Sequence, residues 1–323
     1  MTDALHFKQQ LSAYRTYLMG FSILWIVFHH VGFFGLCSFT AISNFVIKLG
    51  SCGVDIFLIL SAFGLYKSLS KNFNVHRFYK RRIIRILPPF IFVVLGFHIR
   101  HLIDSFSPYF WINELLCNWY IGFIIIAYLL YPLIFLVQKK YMWLPFLIGC
   151  IIGVVGTILL VIYDMDDIHQ VPMLMVQRIP VFCLGSLIAD DRFKFSFKFR
   201  NLALILVLIA IYFSFVLDVE YLVYPLYLLL MIPLLSFLSC LLDKMLSSKM
   251  YLMKWGGQFL HFSGLITLEL YLVHMKVIPI LVRHNVDGYL GLIIMFVSSI
   301  LLSYCVQKIC SLQLFKHCRV NNR

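Results

Sequence analysis

The sequence predicts an all-α polytopic membrane protein, a bundle of about ten transmembrane helices with both termini in the cytoplasm. Three observations carry that expectation. Of 323 residues, 62% are hydrophobic and only 13% are charged, about half the charge that a soluble domain carries. Apolar stretches near the roughly 20 residues that a helix needs to cross a bilayer recur along the whole chain. No stretch shows the sustained period-two alternation of a lipid-facing barrel strand, so helices are the spanning element that remains. The net charge of +13 does not point to nucleic acid. The cations are parcelled into short loops, where the positive-inside rule accounts for them.

The apolar stretches fall at about 17–36, 45–66, 84–102, 116–137, 142–163, 172–189, 201–217, 221–241, 260–282 and 289–307. Each is justified by the loop that follows it. Lys67, Lys71, Arg77, Lys80, Arg81 and Arg82 follow the second, and Lys139 and Lys140 the fourth. Arg192, Lys194, Lys198 and Arg200 follow the sixth. Lys244, Lys249 and Lys254 follow the eighth, and Lys308, Lys316, Arg319 and Arg323 the tenth. The intervening loops are acidic: Asp104 and Glu114, then Asp164, Asp166 and Asp167, then Asp218 and Glu220, then Asp287. One missed or invented helix would invert this alternation beyond it, so the pattern sets both the count and the orientation. The first stretch has no small-residue cleavage site and is expected to be a retained helix. No loop is long enough for a soluble domain, and the chain reads as one domain, 1–323. The nine cysteines show neither CxxC nor metal-ligand spacing and read as packing residues, with no metal site expected.

Several polar residues interrupt these stretches. His29 and His30 lie late in the first, with His30 about 20 Å from the cytoplasmic end. Such a pair is costly in hydrocarbon without partners or water, unless it reaches the outer headgroup level. Asp55 enters from outside and falls about 15 Å deep. Glu269 comes in from the cytoplasmic side to a similar depth, and His274, Arg178, Trp119 and Tyr120 occupy the outer half. The inventory reads as one shared polar cavity, as separate satisfied pairs, or as the proton relay of a transporter. Arg82 and Arg85 share a helix face. With Arg85 starting the third helix and Pro88 in its first turn, they form either an anion site at a helix N-terminus or an ordinary positive-inside anchor.

Six strings occur in order: GFSILWIVFHH (20–30), GVDIFLILSAF (53–63), FYKRRIIRILPP (78–89), NWYIGFIIIAYLLYP (118–132), RIPVFCLG (178–185) and TLELYLVHM (267–275). Together they resemble the bacterial acyltransferase 3 family, integral membrane enzymes that move acyl groups onto extracytoplasmic carbohydrates. The resemblance covers nearly the whole chain. It implies His30, ten residues after Gly20, as the catalytic histidine, with His29 beside it. The family arginine that precedes this histidine by eleven residues is replaced by Met19, and Arg15 stands one turn earlier. The GVDxF motif maps onto Gly53, Val54, Asp55 and Phe57, SGF onto Ser61, Ala62 and Phe63, the RxxR pair onto Arg82 and Arg85, and the late motif onto Glu269, Tyr271 and His274. Some relatives carry a fused soluble esterase-like domain, which is not expected here.

The resemblance therefore implies O-acyl transfer, of an acetyl group by preference, from cytoplasmic acyl-CoA to a hydroxyl of a surface polysaccharide or its lipid-linked precursor. The setting would be the bacterial inner (cytoplasmic) membrane. Acetyl-CoA would be a co-substrate, with no permanently bound cofactor. The residues suit the chemistry. A sugar hydroxyl is a weak nucleophile and gains from an imidazole base such as His30. Asp55 or Glu269 would orient that ring, and His274 is the next candidate base. Arg15 would steady charge on the thioester carbonyl. Arg82 and Arg85 would hold donor phosphates, and Trp119, Tyr120 and Arg178 would line the acceptor site. The alternatives are a transporter or flippase for a lipid-linked sugar, and a membrane subunit that hands acyl groups to a separate soluble partner.

Overall fold

A computed structural model describes residues 3–37, 41–98, 107–162, 170–195, 200–217 and 223–320. All regular structure among them is helical. A short helix α1 (Asp3–Ala13) precedes α2 (Arg15–Phe33), which carries the histidine pair. Then come α3 (Ala41–Lys48), a 3-10 turn (Leu49–Ser51), α4 (Cys52–Lys71), α5 (Val75–Phe97), α6 (Pro108–Cys117) and α7 (Trp119–Lys140). The chain continues with α8 (Leu144–Ile162), α9 (Gln170–Ala189), α10 (Arg200–Val216), α11 (Val223–Ser247), α12 (Tyr251–Leu265), α13 (Thr267–Arg283) and α14 (Gly288–Val320). Among the described residues seven spans are long and apolar enough to cross a membrane, eight if α12 and α13 count as one broken span. The protein is a multi-pass membrane protein. Asp104, Asp164, Asp166, Asp167, Lys198, Asp218, Glu220 and Arg323, which contribute to the loop-charge pattern, lie outside the described residues.

Helix α4 is the hub. It is apolar around nearly its whole circumference, as a helix enclosed by others must be, and its residues from Cys52 to Phe63 are all buried. It packs against α2 on one side and α9 on another. Without a hydrophobic drive between helices in lipid, such contacts depend on small residues that let backbones approach. Gly185 of α9 lies against the Ile59 backbone of α4, and Gly53 of α4 against the Ser22 carbonyl of α2. By contrast α8, packed on α9, turns Ile151, Val154, Ile158 and Ile162 outward as a lipid-facing surface.

Three element boundaries differ from the sequence expectation, and each matters for the site. The stretch 260–282 is not one straight helix: α12 and α13 meet at 82°. The cause is a backbone-to-backbone crossing of α12 on α2, where a Cβ at Gly264 would run into the Thr16 carbonyl and one at Gly20 into the Leu260 carbonyl. The chain turns immediately after, and the Thr267 hydroxyl donates to the Gly264 carbonyl at 3.3 Å across the break. The second difference is in α5, which begins at Val75 rather than near 84. The Asn74 side chain accepts from the Arg77 N–H at 2.8 Å and caps it. Arg82 and Arg85 therefore sit inside a helix, so the expected anion site at a helix N-terminus does not exist there. Lastly, the span Phe45–Lys71 is continuous but passes through the 3-10 turn, so that a new helix starts at Cys52 and Asp55 lies in the first turn of α4.

Candidate active site

Among the described residues, the polar groups of the bundle meet in separate clusters. They fall into two layers that α2 connects, with Arg15 at one end and His30 at the other, about 22 Å apart by helical rise.

In the first layer, the His30 Nδ1 lies 3.0 Å from the Ile26 carbonyl of its own helix. It also lies 3.1 Å from Nε2 of His274 on α13. The other nitrogen of His274, Nδ1, faces the Leu270 carbonyl at 2.8 Å. His29 turns away, its Nδ1 3.1 Å from the Ile47 carbonyl, and lies within electrostatic reach of Arg178. The Arg178 Nε stands 3.4 Å from the Asp55 Oδ1, with both side chains almost fully buried, and its guanidinium stacks 4.8 Å over the Trp119 ring. Tyr120 packs on Tyr271 at 5.0 Å, and Tyr271 on His274 at 5.7 Å. A continuous aromatic path therefore leads from the start of α7 to the histidine pair.

The second layer is dominated by cations. The Arg15 guanidinium lies against Gly64 of α4, where a Cβ would sit 3.1 Å from its Cζ; the glycine leaves the room that the planar group occupies. Arg82 lies over the Phe78 ring at 5.5 Å and the Tyr128 ring at 5.6 Å. Arg85 donates to Glu269 at 3.0 Å. Only Arg85 of these three guanidiniums is seen to pair with a carboxylate, and the Nε atoms of Arg15 and Arg82 have no hydrogen-bond partner among the described residues. Buried donors without partners are costly, and an anion would satisfy them.

A sequence-family model for an acyltransferase domain matches residues 15–308, nearly the whole chain. The chain belongs to the acyltransferase 3 family. No curated protein and no solved structure matches it. The membrane acyltransferase is thus an enzyme, and the transporter reading falls away.

Within the acyltransferase, the structure separates site residues that the sequence grouped. His30 and His274 meet. Neither acid is seen to contact His30 among the described residues: Asp55 pairs with Arg178 and Glu269 with Arg85. The reason is geometric, since each acid lies beside an arginine of a neighbouring helix, and burial of a carboxylate favours a charged partner. Arg15 does not approach the histidine end either; it belongs with Arg82 and Arg85. One further cluster was missed. Glu114 of α6 is buried between Lys276 of α13 at 2.8 Å and His98 after α5 at 3.3 Å. Glu114 reads as a loop acid in sequence. The signal that could have found it is Lys276, a lone cation inside an apolar stretch.

Proposed function

We propose that the protein is a ten-span O-acetyltransferase of the bacterial cytoplasmic membrane, with both termini cytoplasmic. It would move an acetyl group from cytoplasmic acetyl-CoA to a hydroxyl of a surface polysaccharide or of its lipid-linked precursor. The observation that carries this reading is the two-layer arrangement: an arginine pocket with unpartnered donors at one end of α2 and a histidine pair at the other. The loop charges put the arginine end at the cytoplasmic face. There Arg82 and Arg85, joined by Arg15, bind the donor phosphates as planar guanidiniums do. The donor's thiol arm then lies along α2 toward His30.

At that end the acceptor hydroxyl loses its proton to His30 as its oxygen attacks the thioester carbonyl carbon. The new C–O bond forms, the C–S bond breaks, and His30 returns the proton to the departing thiolate. Arg178 with Asp55, Trp119 and Tyr120 line the acceptor side. Stacking of an aromatic ring on a sugar face suits a carbohydrate, and the sealed Arg178 guanidinium lies behind the Trp119 ring and fixes it.

The test is transfer of labelled acetyl from acetyl-CoA by detergent-purified protein, read by mass spectrometry of glycans from cells lacking the protein. His30→Ala is expected to lose about 10²–10⁴ in rate while donor binding persists. Wild-type protein that binds acetyl-CoA but yields no acetylated glycan would overturn the acceptor class. Normal transfer by His30→Ala would remove His30 as the base.

A further inference from the structure

The partners available to each nitrogen of the two facing rings point to one assignment of their protons. His274 Nδ1 faces the Leu270 carbonyl at 2.8 Å, and a carbonyl only accepts. In the neutral ring the proton is therefore on Nδ1, and Nε2 carries a lone pair. That lone pair lies 3.1 Å from His30 Nδ1, which also faces the Ile26 carbonyl at 3.0 Å. His30 Nδ1 thus stands between two acceptors and holds a proton shared by both. The remaining nitrogen of His30, Nε2, is the one with a free lone pair.

We propose that His274 is a positioning residue for the transfer reaction, whose Nε2 accepts from His30 Nδ1–H and so presents His30 Nε2 as the atom that takes the acceptor's proton. This inference rests on the reading of His30 as the base. It assigns to a neutral imidazole the place that a carboxylate takes behind many catalytic histidines. The two acids of the bundle are engaged elsewhere, by Arg178 and Arg85, and the second ring is what the fold supplies. His274 is fully buried in α13 and tied to its own helix by the Leu270 bond, so its free nitrogen has a fixed aim. When His30 becomes charged during the reaction, the accepting nitrogen stabilises the Nδ1–H and adds no charge of its own.

Two amide substitutions separate this role from simple filling of space. In His274→Asn the side chain ends at the level of Nδ1; it keeps the bond to Leu270 and cannot reach His30. In His274→Gln the terminal carbonyl reaches the place of Nε2 and accepts from His30. Donor KM and kcat are measured for both in the purified protein, with thermal midpoints as a control. His274→Asn is expected to lower kcat by about 10²-fold, the effect of a misaimed catalytic group, with donor KM unchanged. His274→Gln is expected to stay within a few-fold of wild type. Equal kcat for His274→Asn and wild type, with His30→Ala inactive, overturns the positioning role and leaves His30 as the base. Equal inactivity of both amides overturns the acceptor role. An active His30→Ala removes the foundation of both readings and is distinguished by that result alone.

Discussion

Two arginine–carboxylate pairs join different helices of this bundle, and they are built differently. Arg178 and Asp55 are both sealed, at 2% and 1% side-chain exposure. In the pair of Arg85 with Glu269 the arginine is 47% exposed and the acid 1%. A sealed pair has no water to fall back on, so removal of one partner leaves a bare charge in a low-dielectric interior. A half-open pair can exchange its acid for another anion, because the guanidinium is reached from outside. The comparison teaches that charge alone does not mark a binding site. What separates a fixed element from a ligand site is whether the cation keeps donors within reach of an incoming group.

The largest effect expected from breaking this contrast is at the sealed pair. Asp55→Leu alone or Arg178→Met alone should lower stability by about 3–5 kcal/mol, read as a large fall in thermal midpoint in detergent. The double variant should recover most of that loss, and a double variant no better than the singles would show that the pair is not the unit. At the half-open pair the order reverses. Arg85→Ala leaves the buried Glu269 carboxylate without its cation and should cost some midpoint, less than at the sealed pair because the site of Arg85 is open on one side; its larger effect should be to weaken acetyl-CoA binding about 10- to 100-fold, the scale of a lost charged hydrogen bond. Unchanged affinity in this variant and in the double variant with Arg82→Ala would return both arginines to the role of membrane anchors. A smaller change, opposite in sign, sharpens the same point. Glu269→Gln removes the resident competitor for Arg85 and should tighten donor binding a few-fold; weaker binding would mean that the acid holds Arg85 in its productive pose.

The smallest effect concerns an acid outside the spans. Asp190 is pushed upward by burial, but this is outweighed by hydrogen bonds from Arg192 and Tyr66 at 2.7 Å, and its carboxyl is held below the usual carboxylate range. A group lowered in the folded state stabilises fully above its unfolded value and loses that contribution as pH falls through the folded one. Asp190→Asn should therefore lower the midpoint by a constant amount from neutral pH down to about 5, and the gap to wild type should close below about 4. A gap that widens in acid would contradict this assignment.

How much of this was legible varies from residue to residue. His30, Asp55 and Glu269 stood out because an intramembrane polar residue needs a reason. Their pairings did not. His30 meets a ring 244 positions away, and Arg85 an acid 184 positions away. Glu114 was hidden by its place in an acidic loop, and Arg192 by its place in a basic one, although the two make buried and half-buried ion pairs.

The sequence alone determined that the protein is a helical membrane bundle. Lipid offers no partner for backbone N–H and C=O, so long apolar stretches must satisfy those groups within themselves. It also determined the relative depth of groups along any one unbroken helix, since the rise per residue is fixed. Only the tertiary structure decided which polar groups meet. That depends on the rotation of each helix about its axis and on the 82° turn between α12 and α13. Both depend on contacts between residues far apart in the chain, such as the close backbone approach of Gly20 to Leu260 and of Gly264 to Thr16.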